Sequence, residues 1–242
     1  MKKKLIALIP ARKGSERVKD KNIQLINGKP LIFYSIRSAQ KSKLFDRIIV
    51  STDSKKYAKI AKKIGAEVPF IRPKAFSTKF SPDYYWVKHS IDHFKKRFNE
   101  NFDYFFILRP TNPFRSYKTI QRAWNLFSKK KNFDTLRSIE ICKQHPGKMW
   151  LEKKNQISPL LDFKIKGQPS YNNQFQTLPK VYIQNGCIEI SKVENIYKYK
   201  TITGKKILSF LTNSIESVDI NYNSDLLKAR NLGKKLNKFN EF

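Results

Sequence analysis

The feature that most constrains this chain is an alternation. Short apolar runs of strand length recur, each followed by a polar loop and then by apolar residues at helical spacing. Lys4 to Ile9 is such a run, stopping at Pro10 and too short for a helix. Pro30 suits a first helical turn, and Leu31, Tyr34, Ser35 and Ala39 extend a helical stripe to about Ser42. Arg47 to Ser51 is the second strand; Ser54 can cap the next helix, whose face is Tyr57, Ala58, Ala61 and Ile64, and Gly65 stops it. Glu67 to Ile71 reads as a third strand and Asp83 opens a helix carrying Trp86, Val87, Ser90, Ile91 and Phe94. Asp103 to Leu108, a helix capped by Ser116, and Asp134 to Ile139 continue the series. Such alternation predicts an α/β fold, three layers deep, with a mostly parallel sheet and helices on both faces.

The pattern breaks after Glu140. Six Pro and Gly residues between His145 and Lys180 make 140–180 an irregular arm or small lobe within one domain spanning 1–242. Val181 to Ile190 and Lys206 to Leu211 return to strand character, and a last helix starts near Ser224.

Fifty Lys and Arg against 19 Asp and Glu give a net charge of +31, which excludes an acidic protein but not an enzyme. That field attracts nucleic acid, anionic lipid and phosphorylated small molecules alike. The lysines are scattered, so the charge alone selects no partner. Cys142 and Cys187 form no disulfide framework or zinc motif, which fits a reducing cytoplasm. Leu5 to Ile9 falls short of a signal-peptide core of roughly 7–15 residues, and no run nears the ~20 apolar residues of a membrane span. No targeting segment and no membrane partner are expected. His89 and His93 share a helix face without a third ligand, so a metal site there is not expected, and Trp86 and Trp124 read as core.

Ligands of open α/β sheets bind beyond the carboxyl ends of the strands. The loop after the first strand combines Gly14 and Ser15 with Arg12, Lys13, Arg17, Lys19 and Lys21, a set able to meet a polyphosphate with backbone N–H groups and cations. Neither a Walker loop nor G-x-G-x-x-G is present. Asp53, after the second strand, reads best as a helix cap.

Several segments in fixed order carry a resemblance. Ile9-Pro10-Ala11-Arg12-x-Gly14-Ser15, Lys21-Asn22, Gly28-Lys29-Pro30-Leu31, Phe45 to Asp53, Gly65-Ala66-Glu67-Val68, Arg72-Pro73, Pro110-Thr111-x-Pro113-x-Arg115, Asn185-Gly186 and Ser217-Val218-Asp219-Ile220 resemble the acylneuraminate cytidylyltransferase (CMP-sialic acid synthetase) family over nearly the whole chain. The resemblance implies a nucleotide-diphospho-sugar transferase-like fold with an inserted dimerisation arm. It implies a reaction in which a sugar hydroxyl attacks the α-phosphorus of CTP, pyrophosphate leaves and Mg²⁺ offsets charge. Arg12 and Lys21 would hold the triphosphate as catalytic groups, with Ala11, Gly14, Ser15, Asn22, Arg72 and Arg109 as further nucleotide contacts. Lys148, Gln176 and Asn185 would touch the sugar, and Asp219 and Asn221 would ligate the metal. A cytoplasmic homodimer making CMP-sugars for surface polysaccharide is implied, each arm completing its neighbour's site.

Three departures bear on specificity. Arg109 stands where the family carries glutamine, Phe175 and Ile183 where it carries arginines near the sugar acid, and Asn221 where it carries the second aspartate of a metal pair. A sugar-phosphate nucleotidyltransferase using another base is the alternative, and a nucleic-acid-binding protein a minor one.

Overall fold

A run like Leu5 to Ile9 stays apolar on both alternating sets of side chains only when both faces of its sheet are covered. In the computed structural model, which describes residues 2–235, β1 (Leu5–Pro10) is buried in this way. Leu5, Ala7 and Ile9 face one apolar cluster, Ile6 and Leu8 the other. With β2 (Arg47–Ser51), β3 (Tyr104–Ile107), β4 (Thr135–Ile141), β5 (Tyr182–Lys192) and β6 (Ile207–Leu211) it forms a six-stranded sheet ordered β6-β4-β5-β3-β1-β2. β1 pairs in parallel with β2 and β3, while β5 runs antiparallel to β3 with Glu189 opposite Ile107.

The helices supply the outer layers. α1 (Leu31–Ser42), α2 (Lys55–Ile64) and α4 (Tyr117–Ser128) contribute Ile32, Ile36, Tyr57, Ala61, Ile120 and Phe127 to the first cluster. α3 (Asp83–Phe98) and α5 (Glu194–Lys198) contribute Trp86, Val87, Ile91, Phe94 and Ile196 to the second. The caps follow the sequence. Ser54 Oγ accepts the Tyr57 N–H at 3.3 Å, Ser116 Oγ accepts the Thr119 N–H at 3.3 Å, and Gly65 ends α2 at φ 98°. A third cluster joins Leu226 and Ala229 of α6 (Asn223–Lys235) to Val18, Phe114 and Ile220, anchoring the loop after β1 from beneath. Pro30 is an extended N-cap rather than a helical residue. The expected strand Glu67–Ile71 reduces to one bridge, Ile49 with Glu67, because Pro69 has no N–H to extend the ladder.

Residues 139–184 form a second compact unit. Its expected irregularity is only partial. Trp150–Lys153 pairs with Gln156–Pro159 and Lys164–Ile165 with Gln168–Pro169, across two-residue turns at Lys154-Asn155 and Lys166-Gly167 whose φ angles are all positive. His145 stitches this unit together. Its Nδ1 accepts the Gly147 N–H and its Nε2 bonds the Pro179 carbonyl, both at 2.9 Å.

Candidate active site

The segments leaving β1, β2 and β3 converge on a cleft of about 470 Å³. Arg12, Ser15, Lys21 and Asn22 come from the first, and Arg109 and Thr111 from the third, while Arg72, from the segment after α2, is brought to the end of β2 by its N–H bond to the Thr52 carbonyl at 2.8 Å; Asp83 and Trp86 in the first turn of α3 close the far wall. Six cations line it, the four already named with Arg17 and Lys79, against the carboxylates of Glu16 and Asp83, leaving four net positive charges. A cleft of that sign selects a polyanion.

The loop after β1 is held at both ends. Gly14 takes φ 82°, and its carbonyl accepts Arg12 Nη1 at 3.0 Å. Asn22 Nδ2 donates to the Arg12 carbonyl at 3.0 Å. Asp53 does not cap α2, as expected from the sequence; Ser54 does, and Asp53 Oδ1 instead accepts the Lys13 N–H at 2.7 Å. At the other end, buried Tyr57 donates from Oη to Asp20 Oδ1 at 2.7 Å, fixing Asp20 in the left-handed region at φ 51° immediately before Lys21. Tyr57→Phe should lower the melting temperature by no more than about 1–6 °C and raise KM for the nucleotide by about 2–10-fold, the scale of one net hydrogen bond of about 0.5–1.5 kcal/mol. Steady-state kinetics at saturating acceptor checks this, and an unchanged KM would remove Tyr57 from the loop's support.

Lys21 Nζ donates to the Ile220 carbonyl at 2.8 Å, and burial pulls its pKa below that of a free lysine, outweighing the pull of Asp219. Arg72 is buried, donating from Nε to Ser51 Oγ at 3.0 Å with its guanidinium 4.9 Å from the Trp86 ring; burial lowers its pKa to about 10. Arg109 Nη2 donates to Asp83 Oδ2 at 2.6 Å and Glu189 Oε1 at 2.8 Å. Burial alone would lower its pKa, but Glu189 and Asp83 outweigh that and hold it above the ordinary value. Arg115 ties down the turn after β3, donating to the Cys187 carbonyl at 2.8 Å and Ser35 Oγ at 2.6 Å.

Asp219 tests the site for a metal. Its Oδ2 accepts Asn221 Nδ2 at 2.7 Å, while its Oδ1 is buried without any hydrogen-bond partner, a state that a cation corrects. Mg²⁺ commonly takes one or two carboxylates and completes its shell with water and phosphate oxygens, so this donor set fits. Asn221 does not fit the expected ligand role. It turns its amide N–H to Asp219, and its oxygen accepts Arg17 Nη2 at 3.4 Å.

Other expectations are corrected or relocated. The Ala11 N–H is used by the Ser51 carbonyl at 2.9 Å and is not available to a nucleotide. Asn185 braces the fold: Nδ2 donates to Thr212 Oγ1 at 2.8 Å and Oδ1 accepts the Cys187 N–H at 3.3 Å. Lys148 and Gln176 lie in the unit 139–184, where Lys148 Nζ donates to the Tyr171 carbonyl at 3.2 Å. His89 and His93 pack on the Phe70 ring at 4.6 and 4.9 Å, and no metal-binding group of three His, Cys, Asp or Glu occurs among the described residues. Sequence reasoning missed Asp83 and Glu189, whose partners are 26 and 80 residues away, and read Trp86 as core alone although it also faces the cleft.

The cytidylyltransferase family model matches residues 6–203. The chain belongs to the cytidylyltransferase family. It is 33% identical over 227 residues to the CMP-N,N'-diacetyllegionaminic acid synthase of Legionella pneumophila, covering 90% of each chain. It is 27% identical over 238 residues to the N-acylneuraminate cytidylyltransferase of Escherichia coli O18:K1:H7, covering 98% of this chain but 54% of that one, so it spans about half the length of that relative. Its fold matches that of a CMP:2-keto-3-deoxy-manno-octonic acid synthetase complexed with CTP at a TM-score of 0.70 and 13% identity, covering 96% of this chain and 99% of the other. Membership in this family makes the chain an enzyme, and among the described residues no helix is long and apolar enough to cross a membrane.

Proposed function

We propose that this cytidylyltransferase transfers CMP from CTP to the hydroxyl of a nonulosonic-type sugar acid. An oxygen–phosphorus bond forms at the α-phosphorus, the α–β anhydride bond breaks, and pyrophosphate leaves. The observation that carries this reading is the cleft's four net positive charges at the carboxyl ends of the strands, in a chain of this family.

Arg12, Arg17 and Lys21 face the triphosphate and stabilise charge as it moves onto the leaving pyrophosphate, Arg12 held by Gly14 and Asn22, Lys21 by Ile220 and Arg17 by Asn221 and the Tyr222 ring. Ser15 and Arg72 complete the nucleotide site, Arg72 forming a rigid wall with Trp86. Asp219 would hold Mg²⁺, whose charge offsets that of the phosphates. The unit 139–184 exposes Trp150, Leu151, Ile157, Leu160 and Phe175, an apolar surface that favours a homodimer and a shared acceptor site for Lys148 and Gln176. A cytoplasmic role in supplying CMP-sugars for surface polysaccharide goes with this reading.

Thermal shift with CTP, UTP, GTP, ATP and a duplex oligonucleotide tests it, because a ligand of the folded state raises the melting temperature. CTP alone should stabilise, and Mg²⁺ should enlarge the CTP shift in the native chain but not in Asp219→Asn. A shift selective for another nucleotide would favour a sugar-phosphate enzyme. A shift with the oligonucleotide alone would make the charge the functional feature.

A further inference from the structure

Arg109 reaches the cleft with donors to spare. Nη2 serves Asp83 and Glu189, whereas Nε and Nη1 make no hydrogen bond among the described residues, and neither is a buried orphan. Three N–H bonds of a fixed guanidinium that lines the cleft are therefore unpaired and accessible. The two anchoring carboxylates are themselves fully engaged. Asp83 Oδ1 accepts Trp86 Nε1 at 2.6 Å, and Glu189 Oε2 pairs with Arg137 Nη1 at 3.1 Å. The stem is accommodated by β5, where a Cβ on Gly186 would come within 3.0 Å of both Arg109 Cδ and Asn112 Oδ1.

At this end of the cleft Arg109 is paired with Asp83 and Glu189, and Arg72, on which both Asp83 and Arg12 act, lies between it and the loop after β1. A sugar acid bound by this chain needs a cation for its carboxylate.

We infer that Arg109 receives the carboxylate of the acceptor sugar acid, through Nε and Nη1, and so determines acceptor specificity rather than nucleotide binding. Two carboxylates hold the guanidinium in place before substrate arrives, so little further ordering is needed at binding. The inference rests on the proposed function, and the test separates the two.

Arg109→Lys keeps a positive charge between Asp83 and Glu189 but deletes the free donors. Kinetics are read with N-acetylneuraminic acid, N,N'-diacetyllegionaminic acid and 2-keto-3-deoxy-manno-octonic acid, then with the carboxamide of whichever acid is turned over. In Arg109→Lys the acceptor KM should rise at least about tenfold, as for a lost charge-assisted hydrogen bond, with the CTP KM within about twofold of native. The native enzyme should prefer acid to carboxamide and the variant should not. Gly186→Ala, which displaces Arg109 without changing charge, should raise the acceptor KM in the same direction and carries the test if Arg109→Lys fails to fold. A rise in the CTP KM instead, or an acid preference surviving in both variants, overturns the inference while leaving the proposed function standing. Turnover of none of the acids by the native enzyme overturns both.

Discussion

Lys21→Met should abolish turnover without unfolding the chain. Removing one preorganised donor aimed at developing charge costs about 10²–10³-fold in kcat, and Lys21 is a half-buried loop cation that faces the cleft together with Arg12 and Arg17. The same substitution should leave the melting temperature unchanged or raise it. Burial lowers the Lys21 pKa, so the folded state disfavours the charge that the unfolded chain carries freely. The sign follows from proton binding. As pH rises between the folded-state pKa and that of a free lysine, the unfolded chain holds more protons, and native stability climbs relative to Lys21→Met. Activity falls over the same interval as the cation is lost. Arg12→Ala should lose turnover similarly. Pyrophosphate release and thermal denaturation, measured on one preparation, check both halves. Retained activity in both variants would break the site assignment, and a collapse of the melting temperature would make Lys21 structural.

Glu189→Ala should be the most destabilising of the site-proximal substitutions. Glu189 lies on β5 with both oxygens paired, one to Arg109 at 2.8 Å and the other to Arg137 at 3.1 Å, and its side chain is only 5% exposed. Deleting it leaves Arg137 without its carboxylate and Arg109 with Asp83 alone, and breaking a buried pair of this kind costs about 3–5 kcal/mol. For a chain of this length each kcal/mol is worth roughly 2–4 °C, so the melting temperature should drop by roughly 6–20 °C. Glu189→Gln, which keeps an acceptor, should lose less. Asp83 adds a pH dependence. Burial would raise its pKa, but Arg109 and the Trp86 N–H hold it below the usual carboxylate value. Its contribution is therefore full above the unfolded value near ~3.9 and is lost as pH falls through the folded value. Thermal melts from pH 7 to pH 2 read both effects. A drop under about 3 °C for Glu189→Ala would mean that the arginines find other partners, contrary to the cost expected for a broken buried pair.

The legible parts of this protein are local. β2 was readable to the residue, and Ser54, Gly65 and Ser116 announced helix boundaries, because caps and apolar periodicity act over a few residues. The loop after β1 was readable as a cation-rich element, and its Arg12, Arg17 and Lys21 line the cleft. What stayed hidden is non-local. Nothing near Arg109 in the chain signals Asp83 or Glu189, and nothing near Asn185 signals its bond to Thr212, 27 residues away. The hairpins of 139–184 were obscured because Lys154-Asn155 and Lys166-Gly167 are less recognisable turn pairs than Asn-Gly. Pro69 marks the limit of Glu67–Ile71 as a strand, a signal masked by its apolar neighbours Val68, Phe70 and Ile71.

The most direct measurement is product analysis by mass spectrometry after incubating the purified protein with Mg²⁺, each nucleoside triphosphate and the three sugar acids. The account predicts a CMP-linked sugar acid together with pyrophosphate, formed from CTP and lost in Lys21→Met. A nucleotide conjugate from a different triphosphate, or none from any pair, would contradict it.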